Sequence, residues 1–268
     1  MKKRIDVLLV EDGRFASREK AKANIMAGRV FADGLLVDKP GTMVDEGVFL
    51  TIKPADQTYV SRGGFKLEKA VNLFALDLQG KICMDIGAST GGFTDCMLQN
   101  GALKVYAVDV GYGQLDWKLR NDDRVVCMER TNIRHLNPEK IAEKIDFFSV
   151  DVSFISLKLV IPVIKSLIHS GSEAVLLIKP QFEAGKEEAS KNGGVIKDQN
   201  TQKRVIDEIM AFCIQSDFEI ANLSYSPIKG PKGNIEFLLY IRSKKSSDFP
   251  KIDIGSVVDE AHAELQKK

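Results

Sequence analysis

The chain has 268 residues, 44% of them hydrophobic and 28% charged, with 38 Lys and Arg against 37 Asp and Glu. That composition belongs to a folded globular protein. It excludes fibrous repeats and intrinsic disorder, and no apolar run reaches the roughly 18 residues of a membrane-spanning helix.

The opening Met1-Lys2-Lys3-Arg4 has the charge of a signal segment, but Val7-Leu8-Leu9-Val10 stops at Glu11-Asp12 and is too short for its apolar part. The four cysteines (Cys83, Cys96, Cys127, Cys213) are far apart and the three histidines lie near no cysteine. Reduced, buried thiols in a cytoplasmic protein are expected, with no metal site. Residues 1–30 carry eight basic side chains against four acidic ones, and residues 31–58 two against five. A basic start of this kind suits a nucleic acid, and a solvated helix face produces it as well. Ser17 is a good N-cap for a helix that places Ala21 and Ile25 on one face, and Gly28 is placed to end it. Asp33-Gly34 between two short apolar runs predicts a hairpin, Lys39-Pro40-Gly41 turns the chain, and 48–52 is a further strand. These residues make a first domain at 1–54, followed by a linker of polar composition at 55–60.

From residue 61 to 268 the pattern becomes strands alternating with longer helices. Strands are expected at 81–85, 105–109, 125–128, 146–151, 174–179 and 236–241, and helices at 65–74, 93–98, 156–168 and 199–213, with a short one at 256–265. Pro162 implies a kink in the third helix or a later start. The alternation predicts an α/β domain with a doubly wound, mostly parallel sheet. The polar stretch between Lys179 and Gln199, with Lys186, Lys191, Lys197 and Gly193-Gly194, is expected to be a long loop, either a flap over RNA or an unstructured insertion. Tyr112 and Trp117 are expected in the core, with stacking on a base as the alternative.

Between the first strand and helix of this domain lies Asp85-Ile86-Gly87-Ala88-Ser89-Thr90-Gly91-Gly92-Phe93-Thr94. Small residues let a ligand approach the backbone, and the amides at a helix start favour a carboxylate or phosphate. Ser89 replaces the second glycine of a dinucleotide fingerprint, and no Lys-Ser/Thr follows as in a P-loop. Asp109 closes the next strand, where an acid can accept from a ribose diol. The turn and the two acids together predict a nucleoside pocket. Asp151 and Lys179 end apolar strands at the same rim of a parallel sheet. Lys66 opens a helix and Glu236 opens the last strand, and for any one of the four a solvated charge is the plain alternative.

Several motifs resemble known families. Arg4-Ile5-Asp6, Ser17-Arg18, Gly28-x-Val30 and Asp33-Gly34-x-x-Val37-x-Lys39-Pro40-Gly41 resemble the S4 RNA-binding domain. That resemblance implies an RNA surface of Arg4, Arg14, Ser17, Arg18, Lys22 and Lys39, since structured RNA is read mainly by shape and backbone. The turn at 85–94 resembles the S-adenosylmethionine (SAM) site of Rossmann-like class I methyltransferases. The resemblance puts Asp85, Gly87, Ala88, Ser89, Gly91, Gly92, Phe93 and Thr94 around the methionine end, Asp109 on the ribose and Asn132 beside the adenine. The order Lys66, Asp151, Lys179, Glu236 resembles the catalytic tetrad of FtsJ/RrmJ-type ribose 2′-O-methyltransferases. With Ser61-Arg62-Gly63-Gly64 and Asp151-Val152-Ser153-Phe154-Ile155-Ser156-Leu157, residues 4–241 are similar to the TlyA family of ribosomal RNA methyltransferases, also labelled hemolysin A. Gln57-Thr58-Tyr59-Val60 stands where some members carry Arg-x-Trp-Val.

The resemblance implies SAM-dependent 2′-O-methylation of ribosomal RNA, with cytidine as the nucleotide and the RNA or a ribosomal subunit as partner. Lys179 serves as base or as stabiliser of the alkoxide, Asp151 and Glu236 hold the lysines, and Lys66 steadies the oxygen. A lysine base needs its proton loosened, and a second cation beside it helps. The alternatives are a non-catalytic assembly factor with a vestigial pocket, a lytic toxin, for which no membrane-inserting stretch is evident, and an NAD-dependent oxidoreductase, which Ser89 disfavours.

Overall fold

A computed structural model describes residues 2–52, 59–191, 193–243 and 251–265. The chain divides into two compact units, Met1–Gly64 and Phe65–Lys268. Of the linker expected at 55–60, residues 55–58 lie outside the described residues.

The first unit runs β1 (Lys2–Arg4), α1 (Ile5–Glu11), α2 (Arg18–Met26), β2 (Val30–Ala32), β3 (Leu35–Val37), β4 (Met43–Asp45) and β5 (Leu50–Ile52). The Ser17 side chain accepts from Lys20 N at the start of α2. At its end Gly28 sits at φ +70°, with Gly28 N donating to Ile25 O and Arg29 N to Asn24 O. That is a Schellman motif, which satisfies carbonyls the helix leaves open. Asp33 and Gly34 both have positive φ, the mirror-image turn that matches strand twist between β2 and β3. Ile5, Leu8 and Leu9 of α1 pack on Ala21 and Ile25 of α2 and on Val30, Val37 and Leu50.

The second unit begins with α3 (Gly63–Leu73), whose first two residues lie across the division. It continues with β6 (Ile82–Ile86), α4 (Gly92–Gln99), β7 (Lys104–Val108), α5 (Trp117–Arg120), β8 (Val125–Met128), β9 (Ile145–Val150), α6 (Ile161–Leu167) and β10 (Ile168–Ile178). Then come α7 (Pro180–Glu183), α8 (Lys186–Lys191), α9 (Gln199–Gln215), β11 (Glu219–Tyr225), β12 (Phe237–Arg242) and α10 (Ile254–Leu265). Seven strands form one sheet in the order β11-β12-β10-β9-β6-β7-β8. Strands β8, β7, β6, β9 and β10 are parallel, and β12 pairs antiparallel with both β10 and β11, so that β12 runs against the other six strands. From β6 the chain goes to β7 on one side, while β9 lies on the other, so the strand order reverses between β6 and β9. Ligands of open α/β sheets bind outside the carboxyl ends of the strands at such a point.

The sheet is the doubly wound, mostly parallel one expected, with β11 added at its edge as a seventh strand beyond the six expected, and the chain differs from expectation elsewhere. The helix drawn at 156–168 begins at Ile161 with Pro162 in its first turn, where a missing N–H costs nothing. The stretch expected as a long loop after Lys179 contains α7 and α8, and its later part is tied down. Lys232 Nζ donates to Gly193 O, Asn234 Nδ2 donates to Gly194 O, and Ile196 N donates to Asn234 Oδ1. Tyr112 and Trp117, expected in the core, are 69% and 74% exposed. Burial pushes the thiols of Cys83 and Cys213 up to about 12, which makes them inert packing groups.

Candidate active site

The carboxyl ends of β6 and β9 touch through a glycine. Gly87 has φ +87°, and a Cβ there would come within 2.6 Å of Asp151 O. Asp151 N donates to Ile86 O, extending the β6–β9 ladder by one bond. The Gly-rich turn and the end of β9 are therefore one rigid rim.

Asp85 does not reach that rim. It is fully buried, its Oδ2 accepting from Thr94 N and Thr94 Oγ1 at 2.9 and 2.7 Å and its Oδ1 from Ser149 Oγ at 3.0 Å. Phe93 and Thr94 are likewise buried. Of these three residues, expected around the methionine end, Asp85 and Thr94 brace the turn from behind through their hydrogen bonds. Ala88, Gly91 and Gly92 are buried too, and the exposed members of the turn are Ser89 and Thr90. Burial, against the hydrogen bonds from Thr94 and Ser149, pushes the Asp85 carboxyl up to about 7. Because the folded value lies above the ordinary one, Asp85 contributes stability that is present at acid pH and is lost as pH rises through 7. Asn in its place can accept from Thr94 and donate to Ser149 with no charge to bury. Asp85→Asn is therefore expected to remove a fall in stability on the order of 2 kcal/mol between pH 5 and 8, measured by thermal unfolding across that range.

Asp109 sits half-exposed just past β7, its two carboxylate oxygens accepting from Ser89 N and Gly111 N at 2.8 and 2.7 Å. Each oxygen keeps a further lone pair. Glu129, past β8, accepts from Gln114 N, Leu115 N and Arg120 Nη2. The Gly113 amide first, with the Arg120 guanidinium and its neighbouring amides, holds its carboxyl down at about 2 despite burial. Glu129 thus fastens the loop that follows Asp109. Asn132 caps a short 3-10 turn by accepting from Arg134 N. Exposed backbone at a glycine turn, an acceptor carboxylate at the next strand end and a braced loop beyond it form a donor and acceptor set that fits a nucleoside with a charged tail.

The four charged candidates converge. Lys66 Nζ lies 2.7 Å from Glu236 Oε2 and 3.4 Å from Asp151 Oδ2, and Lys179 Nζ lies 2.5 Å from Asp151 Oδ1. They come from α3, the end of β9, the end of β10 and the approach to β12. Because β12 is antiparallel, its beginning lies at the same rim where the parallel strands end. Gly230 leaves room for Glu236, since a Cβ there would come within 2.1 Å of Oε1. Lys66 and Lys179 are 7% and 6% exposed, and Glu236 is fully buried. Burial alone would push the Asp151 carboxyl up, but the Lys66 and Lys179 ammonium groups outweigh it and hold it below its ordinary value. The expected crowding of two cations is thus answered by an anion between them, and two ammonium groups with two carboxylates sum to zero charge.

Three neighbours were not assigned from the sequence. Gln181, 8% exposed in the first turn of α7, donates from Nε2 to Glu236 Oε1 at 3.4 Å and so closes a chain from Lys179 through Asp151, Lys66 and Glu236 back to the same β10–α7 junction. Exchanging its amide O and N would set oxygen against carboxylate, which fixes its orientation. Ser153 Oγ accepts from Lys179 Nζ at 3.0 Å. Phe154 is 90% exposed at φ +64°, its ring centroid 4.8 Å from that of Phe182. All three fall in the motifs around Asp151 and Lys179, but their roles depend on proximity that spacing does not reveal.

In the first unit, Asp6 is fully buried and gathers two of the six expected RNA ligands. Arg4 Nε donates to Asp6 Oδ1 at 2.9 Å and Arg18 Nη2 to Oδ2 at 2.8 Å, while both arginine side chains stay 48% exposed. Hydrogen bonds from Arg4 first, with Arg18, hold the Asp6 carboxyl at about 2. Arg14 and Lys39 are exposed, Lys22 is half-buried, and Ser17 is occupied as the cap of α2.

A family model for FtsJ-like methyltransferases matches residues 59–243. The chain is 48% identical to "Putative rRNA methyltransferase YqxC" of Bacillus subtilis, over all of this chain and 96% of that protein. It is 42% identical to "16S/23S rRNA (cytidine-2'-O)-methyltransferase TlyA" of Mycobacterium tuberculosis, over 90% of each. A solved structure titled "Putative hemolysin from Streptococcus thermophilus" superposes with a TM-score of 0.75 at 46% identity, covering 99% of this chain and 98% of that one. Among the described residues no helix is long and apolar enough to cross a membrane.

Proposed function

The chain belongs to the FtsJ-like methyltransferase family, and from that membership we propose that it methylates the ribose 2′-hydroxyl of a cytidine in ribosomal RNA, using SAM. The observation that carries this reading is the Asp151 carboxylate set between Lys66 and Lys179, with Glu236 on the far side of Lys66. SAM, when bound, supplies a methyl group on a positively charged sulfur. The turn at Gly87–Gly92 and the Asp109 carboxylate hold it, with Asp85 and Glu129 fixing those two from behind.

Lys179 takes the hydroxyl proton. Asp151 and Ser153 occupy two of its three hydrogen-bonding positions and leave one for the sugar. Lys66, steadied by Glu236 and through it by Gln181, lays positive charge against the oxygen as it becomes negative. A tetrad of zero net charge repels neither the sulfonium nor the RNA phosphates. Most of the acceleration comes from aligning hydroxyl, methyl and sulfur.

Arg4 and Arg18, held by Asp6, are the leading phosphate ligands of the S4-like unit, with Arg14, Lys22 and Lys39 as further cationic contacts. The double variant Arg4→Ala/Arg18→Ala is expected to weaken binding to ribosomal subunits and to lower the slope of log affinity against log salt by about 2. A filter-binding salt titration reads this, and SAM affinity should not change. A ribosomal substrate sets the enzyme to work in the cytoplasm. Mass-spectrometric mapping of ribose methyls on ribosomal RNA, from cells with and without the gene, tests the whole reading. A missing 2′-O-methylcytidine supports it, and identical maps refute it.

A further inference from the structure

Lys179 as the structure holds it is an acid. Its Nζ, the ammonium of an ordinary lysine, is 2.5 Å from the Asp151 carboxylate, and the side chain is 7% exposed. To accept a proton from a sugar hydroxyl it must first release one, and each turnover leaves one more proton to be removed. The carboxylates are poor sinks. Asp151 is shared between two ammonium groups that hold it ionised, and Glu236 bonds Lys66 and Gln181. Phe182, whose ring centroid is 5.7 Å from Lys179 Nζ, accepts no proton. Ser153 Oγ both touches Nζ, at 3.0 Å, and belongs to an exposed residue. A hydroxyl accepts and donates at once, so it can hand a proton on without holding a charge.

We propose that Ser153 is the proton exit of this site, acting through Lys179 and not on the substrate; the inference rests on Lys179 being the base. An Nζ–H bond of the ammonium breaks as its proton goes to Ser153 Oγ, and the original Ser153 O–H bond breaks as that proton goes to a water molecule. What remains is a neutral amine, an intact hydroxyl and a hydronium ion that buffer takes up. Rotation about Cε–Nζ turns the amine lone pair from Ser153 to the position left for the sugar. There it receives the ribose hydroxyl proton as the oxygen takes the methyl group and the methyl–sulfur bond breaks, and Lys179 ends as the ammonium it was. One proton leaves per methyl transferred.

The test uses the full-length protein and the variants Ser153→Ala and Ser153→Thr, whose exposed position leaves the fold intact. In protein labelled with 15N-lysine and free of SAM, exchange of the Lys179 Nζ protons with water, followed by NMR, is expected to slow about tenfold in Ser153→Ala and to stay near wild type in Ser153→Thr. Turnover on ribosomal subunits should fall about tenfold in Ser153→Ala with KM unchanged, and imidazole, a small base able to stand in for the hydroxyl, should restore it. Unchanged proton exchange, wild-type turnover, or a loss that imidazole does not relieve each overturns the proposal. Full activity of Lys179→Ala would instead remove the premise, so the two failures are distinguishable.

Discussion

Lys179→Ala is expected to lower methyl transfer to ribosomal subunits about a thousandfold, the scale of a lost general base, while binding of SAM and RNA persists. The retained binding follows from the layout. The glycine turn is braced by Asp85 and Thr94, and Arg4 and Arg18 are held by Asp6, so neither depends on Lys179. Single-turnover transfer of labelled methyl reads the first, and calorimetry with SAM the second. Lys179→Arg then separates the two roles this lysine can play. A guanidinium keeps the charge and a bridge to Asp151 but does not deprotonate. If Lys179 is the base, the arginine variant is as inactive as the alanine one. A stabiliser of the alkoxide would keep a substantial fraction of activity.

The second large effect is at Asp151. Alanine there leaves Lys179 buried with no carboxylate partner among the described residues, facing the neutral Ser153 hydroxyl and the Phe182 ring, whereas Lys66 keeps Glu236. Removing one partner of a buried pair costs about 3 kcal/mol, because the remaining charge is stranded. Thermal and urea unfolding should show that loss, and methyl transfer should fall with it. The double variant Asp151→Ala/Lys179→Met should recover most of the stability and none of the activity, since it removes the stranded charge together with the base. A double variant no more stable than Asp151→Ala would mean that the carboxylate matters for something other than the lysine.

The parallel strands were readable because apolar β-branched runs end on single charges or glycines, as at Val150-Asp151, Ile178-Lys179 and Ile86-Gly87. The hairpin was readable because Asp33-Gly34 has one low-energy use between two short apolar runs. Other elements are set by tertiary contact. Helix α1 has no side-chain cap, Arg4 preceding it in extended form, and its seven residues hold together by packing on α2. Strands β1 and β4 are three residues each and exist only as each other's partner. Strand β11 mixes Asn222 and Ser224 with its apolar residues, and its register shifts near Ile220–Asn222, so its alternation is broken. In the site, Lys66, Asp151, Lys179 and Glu236 could be named from motif order. That Asp85, Phe93 and Thr94 face inward, and that Gln181 and Ser153 join the tetrad, follow from side-chain directions that no spacing records.

Lys66 and Glu236 are 170 residues apart in the chain, near opposite ends of the methyltransferase unit, yet they share a hydrogen bond. A nascent polypeptide whose final strand is still inside the exit tunnel has every other part of this centre and lacks the carboxylate that completes it. The centre is therefore completed only when the part of the chain that carries Glu236 has been made and has reached Lys66.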